Sequence, residues 1–108
     1  MRLVAVTTLM IMMFLTTSVP AGEAVEQVEI RDFTFIPAEI TVKMGTTVRW
    51  INREKRQFHS VWFEAAGDPE PAYIFPDETT ERSFDEPGTF SYRCGPHPEM
   101  RGSVTVIE

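Results

Sequence analysis

Cysteine is almost absent from this chain. Among 108 residues there is one, Cys94, so no internal disulfide can form. Histidine is nearly as scarce, with only His59 and His97. Basic side chains are the minority, ten against sixteen acidic, for a formal net charge of −6. A surface of that sign repels polyanions, which removes nucleic acid from the expected partners. No internal repeat or low-complexity tract interrupts the chain, no stretch beyond the N-terminus has convincing helical periodicity, and the length suits one domain.

The N-terminus departs from this polar character. Met1-Arg2 precedes an apolar run from Leu3 to Leu15, broken only by Thr7 and Thr8. Val19 and Ala21 then stand at the small-residue positions that a signal peptidase reads. The pattern predicts a secretory signal peptide over residues 1–21 and one domain over residues 22–108. The run falls short of the roughly 20 residues that a spanning helix needs, so no stable membrane insertion is expected after cleavage. No cysteine follows it, which argues against a lipid anchor. Loss of Arg2 leaves the mature chain one unit more negative.

The rest reads as short strands. Val25–Ile30 leads into Phe33–Phe35, and Glu39–Lys43 alternates apolar and polar with the period of two that marks a half-buried strand. Met44-Gly45-Thr46 supplies a turn before Thr47–Asn52, where Val48, Trp50 and Asn52 share a face. Arg53–Gln57 is charged and loop-like. Phe58–Phe63 is strand-like again, with His59, Val61 and Phe63 on one face. Between Glu64 and Pro76 the glycine and prolines predict a long loop with room for one helical turn. Thr79–Phe84 and Phe90–Cys94 resume the pattern, the latter with Phe90, Tyr92 and Cys94 inward and Ser91 and Arg93 facing water. Ser103–Ile107 is the last strand. Strands of this length and spacing predict an all-β, Greek-key antiparallel sandwich.

Chemistry concentrates in Cys94-Gly95-Pro96-His97-Pro98-Glu99-Met100. Taken singly, a lone cysteine is usually a small buried hydrophobe and a lone methionine is core filler. Together they place a thiolate, an imidazole and a thioether within seven positions of one loop. Soft sulfur with imidazole suits copper, and two His, one Cys and a weak axial Met describe a blue-copper electron-transfer centre. Zinc sites rarely use methionine and usually show paired Cys or His spacings, which are missing here. His59 is the only other imidazole, so the expected metal set is His59, Cys94, His97 and Met100. Pro96 and Pro98 fix their own φ and restrict their neighbours, so the loop loses little entropy on ordering. Metal ligation would also stabilise a small disulfide-free domain, because the ion binds only the folded state.

These residues carry a resemblance. Trp50-Ile51-Asn52-Arg53-Glu54, His59, Phe84 with Gly88-Thr89-Phe90, and the Cys94-x-Pro96-His97-Pro98-x-Met100-Arg101-Gly102 loop resemble the cupredoxins, the type 1 blue copper proteins. The compact Cys-x2-His-x2-Met loop is that of the amicyanin branch. The resemblance implies one copper ion, held by His59, Cys94, His97 and Met100, and a monomeric periplasmic carrier that is not an enzyme. It implies that the Ser60 backbone N–H reaches the Cys94 sulfur, and that a ring edge of His97 is the electron port. Asn52 either pins the two ligand loops together or caps an ordinary turn.

The implied partners are redox proteins, a periplasmic dehydrogenase as donor and a c-type cytochrome as acceptor. One departure bears on them. Glu99 stands where amicyanins commonly carry Phe, so a partner must be polar or basic there. The acidic positions Glu64, Asp68, Glu70, Asp77, Glu78, Glu81, Asp85 and Glu86 form either a solvated face or a surface that steers a cationic cytochrome. Arg53, Lys55 and Arg56 are either a docking rim or solubilising charges. Copper storage or delivery is the alternative function, although the chain lacks the surplus Met and His clusters that exchange would favour.

Overall fold

The computed structural model describes residues 24–108, so the signal peptide expected over residues 1–21 lies outside the described residues. Seven strands follow in order: β1 (Val25–Arg31), β2 (Thr34–Ile36), β3 (Glu39–Lys43), β4 (Thr46–Asn52), β5 (Thr79–Phe84), β6 (Gly88–Arg93) and β7 (Arg101–Ile107). They form two sheets, ordered β2-β1-β4-β5 and β3-β7-β6. The two sheets form the expected sandwich, but the pairing within it is mixed. β1 runs parallel to β4, with Val28 opposite Trp50, and β3 runs parallel to β7, with Val42 opposite Val106. The path of the chain explains this. After the β1–β2 hairpin it crosses to the other sheet as β3, then returns as β4 in the direction of β1.

Alternation on each strand builds the core. On β4, Thr46, Val48, Trp50 and Asn52 all point inward. Val28 and Ile30 of β1 lie beside them in the same sheet, and Val104 and Val106 of β7 and Tyr92 of β6 face them from the other. Trp50 lies at the centre, edge-on to Tyr92 at 5.3 Å and to Phe63 at 6.0 Å between ring centroids. Full burial of such side chains contributes about 1.5–3 kcal/mol each. Gly102 sits opposite Tyr92 in the β6–β7 ladder, and a Cβ there would come within 2.4 Å of the Tyr92 ring. The phenol can therefore lie across β7 only because that position has no side chain.

Two local expectations are corrected. Residues 58–63 are not a strand; they make two isolated bridges, His59 to Ile74 and Trp62 to Arg93. The segment serves two different neighbours, one residue pair each, and strict alternation breaks because His59 and Ser60 are both buried. Arg93 does not simply face water. Its guanidinium stacks 4.5 Å over the Trp62 ring and bonds Glu64, which holds the segment against β6. The long loop contains one turn of 3-10 helix, Glu64–Ala66, closed by Gly67 in the left-handed region at φ 84°.

Candidate metal centre

The site forms at one pole of the sandwich, where β6 ends and three loops meet. Cys94 continues the inward face of Tyr92 and is fully buried. The loop after it closes on itself. The Met100 N–H donates to the His97 carbonyl and the Cys94 N–H to the Met100 carbonyl, both at 3.0 Å. This turn brings Met100 back into the interior, only 2% exposed, directly before β7. His97, at the turn's apex, is half-buried.

His59 arrives from the long connection between β4 and β5 and is fully buried. Its Nδ1 lies 3.2 Å from Nδ1 of His97 and 3.6 Å from the Cys94 Sγ, and His97 Nδ1 lies 3.5 Å from that sulfur. Donors bound at about 2.0–2.3 Å to one ion, in a trigonal arrangement, stand about 3.5 Å apart. The two imidazoles and the thiolate therefore fit a single soft-liking ion without rearrangement. Three of the four ligands expected from sequence converge in this way, and the fourth, Met100, is buried at the end of the same closed loop.

The surrounding hydrogen bonds aim these donors. The Ser60 N–H donates to the Cys94 Sγ at 3.4 Å, as the resemblance implied. The Ser60 side chain is also engaged, since its hydroxyl accepts from the Gly95 N–H at 2.8 Å and ties the two ligand segments together. Gly95 has its own reason. A Cβ there would come within 2.4 Å of a Glu70 carboxylate oxygen and 2.9 Å of the Ser60 hydroxyl.

Asn52 does not bridge the ligand loops to each other. Its amide donates to the Gln57 carbonyl at 2.8 Å and the Ile74 carbonyl at 3.0 Å, and its Oδ1 accepts from the Glu54 N–H at 2.9 Å. It thus braces the loop that leads into His59 against the segment around Ile74.

Glu54 is the site residue that sequence reasoning passed over. Its Oε1 lies 3.1 Å from His59 Nε2 and accepts from the Phe33 N–H at 2.8 Å. A carboxylate on Nε2 favours the tautomer protonated there, which leaves the Nδ1 lone pair facing the thiolate and His97. Burial alone would raise the Glu54 carboxyl, but the Phe33 N–H and His59 outweigh it and hold the group below its ordinary value. His59 is shifted down, chiefly by burial, with Glu54 opposing. The Cys94 thiol is pushed up, again chiefly by burial and against the Ser60 and His97 N–H groups.

Phe33 is the second residue missed. Asp32 and Phe33 form the two-residue β1–β2 turn, both left-handed, at φ 52° and 57°. The turn sets the Phe33 ring edge-on to His59 at 5.4 Å and to His97 at 5.0 Å. Phe58 stacks on Tyr73 at 5.0 Å and lies 6.5 Å from His97, so aromatic rings skirt the half-buried imidazole. Alternation does not mark either residue, because a turn and a loop have no period.

Comparison with known proteins agrees with this geometry. Residues 22–107 match the family described as copper binding proteins, plastocyanin/azurin family. The chain is 41% identical over 83 residues to amicyanin of Paracoccus denitrificans, which covers 73% of this chain and 63%, less than two thirds, of that protein. It is 35% identical over 91 residues to amicyanin-alpha of Methylorubrum extorquens, covering 81% of this chain and 74% of the relative. The crystal structure of amicyanin from Paracoccus versutus superposes with a TM-score of 0.71 at 36% identity, over 82% of this chain and 85% of that one. By fold, donor chemistry and sequence alike, the chain belongs to the plastocyanin/azurin family of copper-binding proteins, the cupredoxins, where it is amicyanin-like and its cofactor is copper.

Proposed function

We propose that the protein is a periplasmic type 1 copper carrier that passes single electrons between redox proteins, with His59, Cys94, His97 and Met100 as its ligands. The convergence of Cys94 Sγ with Nδ1 of both histidines carries this reading. Bound copper supplies a one-electron Cu(II)/Cu(I) couple whose potential is set by the soft ligands. The chain's own residues do the rest. Ser60 and Glu54 fix the thiolate and the buried imidazole, so the donors need move little between the two charge states. Phe33 and Phe58 place apolar ring surface beside His97, whose exposed part is the port at which a donor or acceptor meets the site. Storage or delivery is disfavoured, because Cys94 and His59 are fully buried and exchange asks for open ligands.

The relatives support a carrier in place of an enzyme, and a periplasmic dehydrogenase and a c-type cytochrome remain the proposed donor and acceptor. The decisive measurement is the visible spectrum of the chain from Gly22 with Cu(II), beside Cys94→Ser and Met100→Ala. An intense blue band that Cys94→Ser abolishes and Met100→Ala retains with an altered potential is the expected result. A colourless wild type, or one that takes up zinc in preference, overturns the proposal. N-terminal sequencing of the exported protein should start at Gly22; retention of residues 1–21 would remove the periplasmic part.

A further inference from the structure

Of the ten Lys and Arg residues in the chain, one, Arg2, lies outside the described residues. Four of the other nine, Arg31, Arg53, Lys55 and Arg56, line a single open groove of about 710 Å3. Two carboxylates share it, Asp32 and Glu54, but Glu54 is turned onto His59 and the Phe33 N–H. Arg31 and Arg53 reach Glu29 only at 3.6 and 3.7 Å, and Lys55 and Arg56 have no ion-pair partner among the described residues. A chain of net charge −6 thus gathers four cations in one concavity, two of them, Lys55 and Arg56, unpaired among the described residues. That concavity adjoins the copper pole, since its Glu54 wall lies 3.1 Å from His59 and its Asp32 precedes the Phe33 ring on His97.

We propose that this groove receives a carboxylate-rich surface of the redox partner, and so aligns the partner's own redox centre with His97. The inference rests on the carrier reading and names the partner's chemistry. Charges more than about 8–10 Å apart are largely screened at physiological ionic strength. An anionic surface approaching from the groove side therefore meets these cations first; Glu99 and Glu70 also lie at this pole, so the partner's acidic patch must be confined to the part that meets the groove. The alternative, an acidic face steering a cationic partner, is weakened by prior engagement. Glu64, Asp68 and Glu81 are already paired with Arg93, Arg82 and Arg49.

The test oxidises the reduced copper protein with hexacyanoferrate(III), which takes one electron and becomes hexacyanoferrate(II). Overall charge alone predicts a rate that rises with salt, because both reactants are negative. The groove predicts a rate that falls with salt. Lys55→Glu with Arg56→Glu should slow the reaction about tenfold and reverse the salt slope, while the blue band stays in place. A second readout needs no copper. In metal-free protein, a glutamate-rich peptide should shift the amide resonances of residue 31 and residues 53–57. A wild-type rate that rises with salt, or a peptide that shifts no groove resonance, overturns the proposal. So does binding to phosphatidylglycerol vesicles without peptide binding, which would assign the groove to a membrane surface. Absence of a blue band would strike the carrier reading alone, because the peptide titration still reports on the groove.

Discussion

Two segments meet at the copper pole, and they are held by different means. Residues 94–100 are fixed by their own main chain, with two bonds closing the turn and Pro96 and Pro98 stiffening it. Residues 53–60 have no such device. They are not a strand, and apart from main-chain bonds of Arg53 to Ile30 and His59 to Ile74 their shape depends on side-chain bonds: Asn52 to Gln57, Glu54 to His59, and Ser60 to Gly95. A local turn is encoded where it stands, whereas a braced loop is encoded in its neighbours. The second kind should fail more severely when one side chain is removed.

The largest expected effect follows from removing the brace. Asn52→Ala leaves the Gln57 carbonyl and the Glu54 N–H without their partner, while the Ile74 carbonyl keeps the His59 N–H, and unpaired buried groups cost about 1–3 kcal/mol each. Partial relaxation should leave a loss of about 2 kcal/mol in urea unfolding of the metal-free protein. A loss below about 1 kcal/mol would mean that the loop holds itself.

Glu54→Gln should come next. Copper affinity should fall about tenfold, as expected for loss of a carboxylate behind a ligating imidazole. The same carboxylate gives the metal-free protein a pH signature. Its folded value lies below the ordinary 4.5, so it stabilises the fold above that pH and the contribution disappears as pH falls through the lowered value. Acid unfolding of metal-free Glu54→Gln should lack this component; an unchanged acid limb would separate Glu54 from the stability of the loop.

The smallest effect belongs to the self-closed turn. Pro96→Ala or Pro98→Ala should cost about 0.4–1 kcal/mol, mainly through a freer unfolded chain, with the blue band preserved. If either proline matched Asn52 in cost, the contrast between the segments would collapse.

The same contrast explains what could be read from sequence. Val48, Trp50 and Asn52 announced their buried face by alternation, and Cys94, His97 and Met100 announced a soft ligand set by crowding into one loop. Parallel pairing of β1 with β4 was hidden, because alternation reports which face is buried and not which way the neighbour runs. Residues 58–63 carry a strand-like pattern but have no continuous partner to pair with. Glu54 sat within a charged, loop-like run, where nothing local distinguishes a carboxylate aimed inward at an imidazole from one dissolved in water. Phe33 reads in sequence as part of a strand, and only its left-handed backbone turns the ring edge-on to both histidines.

The position of β7 has a consequence in time. This strand lies between β3 and β6 and follows the ligand turn directly, so its sheet has no middle until β7 is in place. A chain that emerges N-terminus first must hold β3 and β6 apart until β7 has been made. The ion therefore meets a finished cradle late, after β7 has paired with both neighbours. A chain stopped at Gly102, before most of β7, should remain colourless with Cu(II), and a blue band from it would show that the cradle forms earlier.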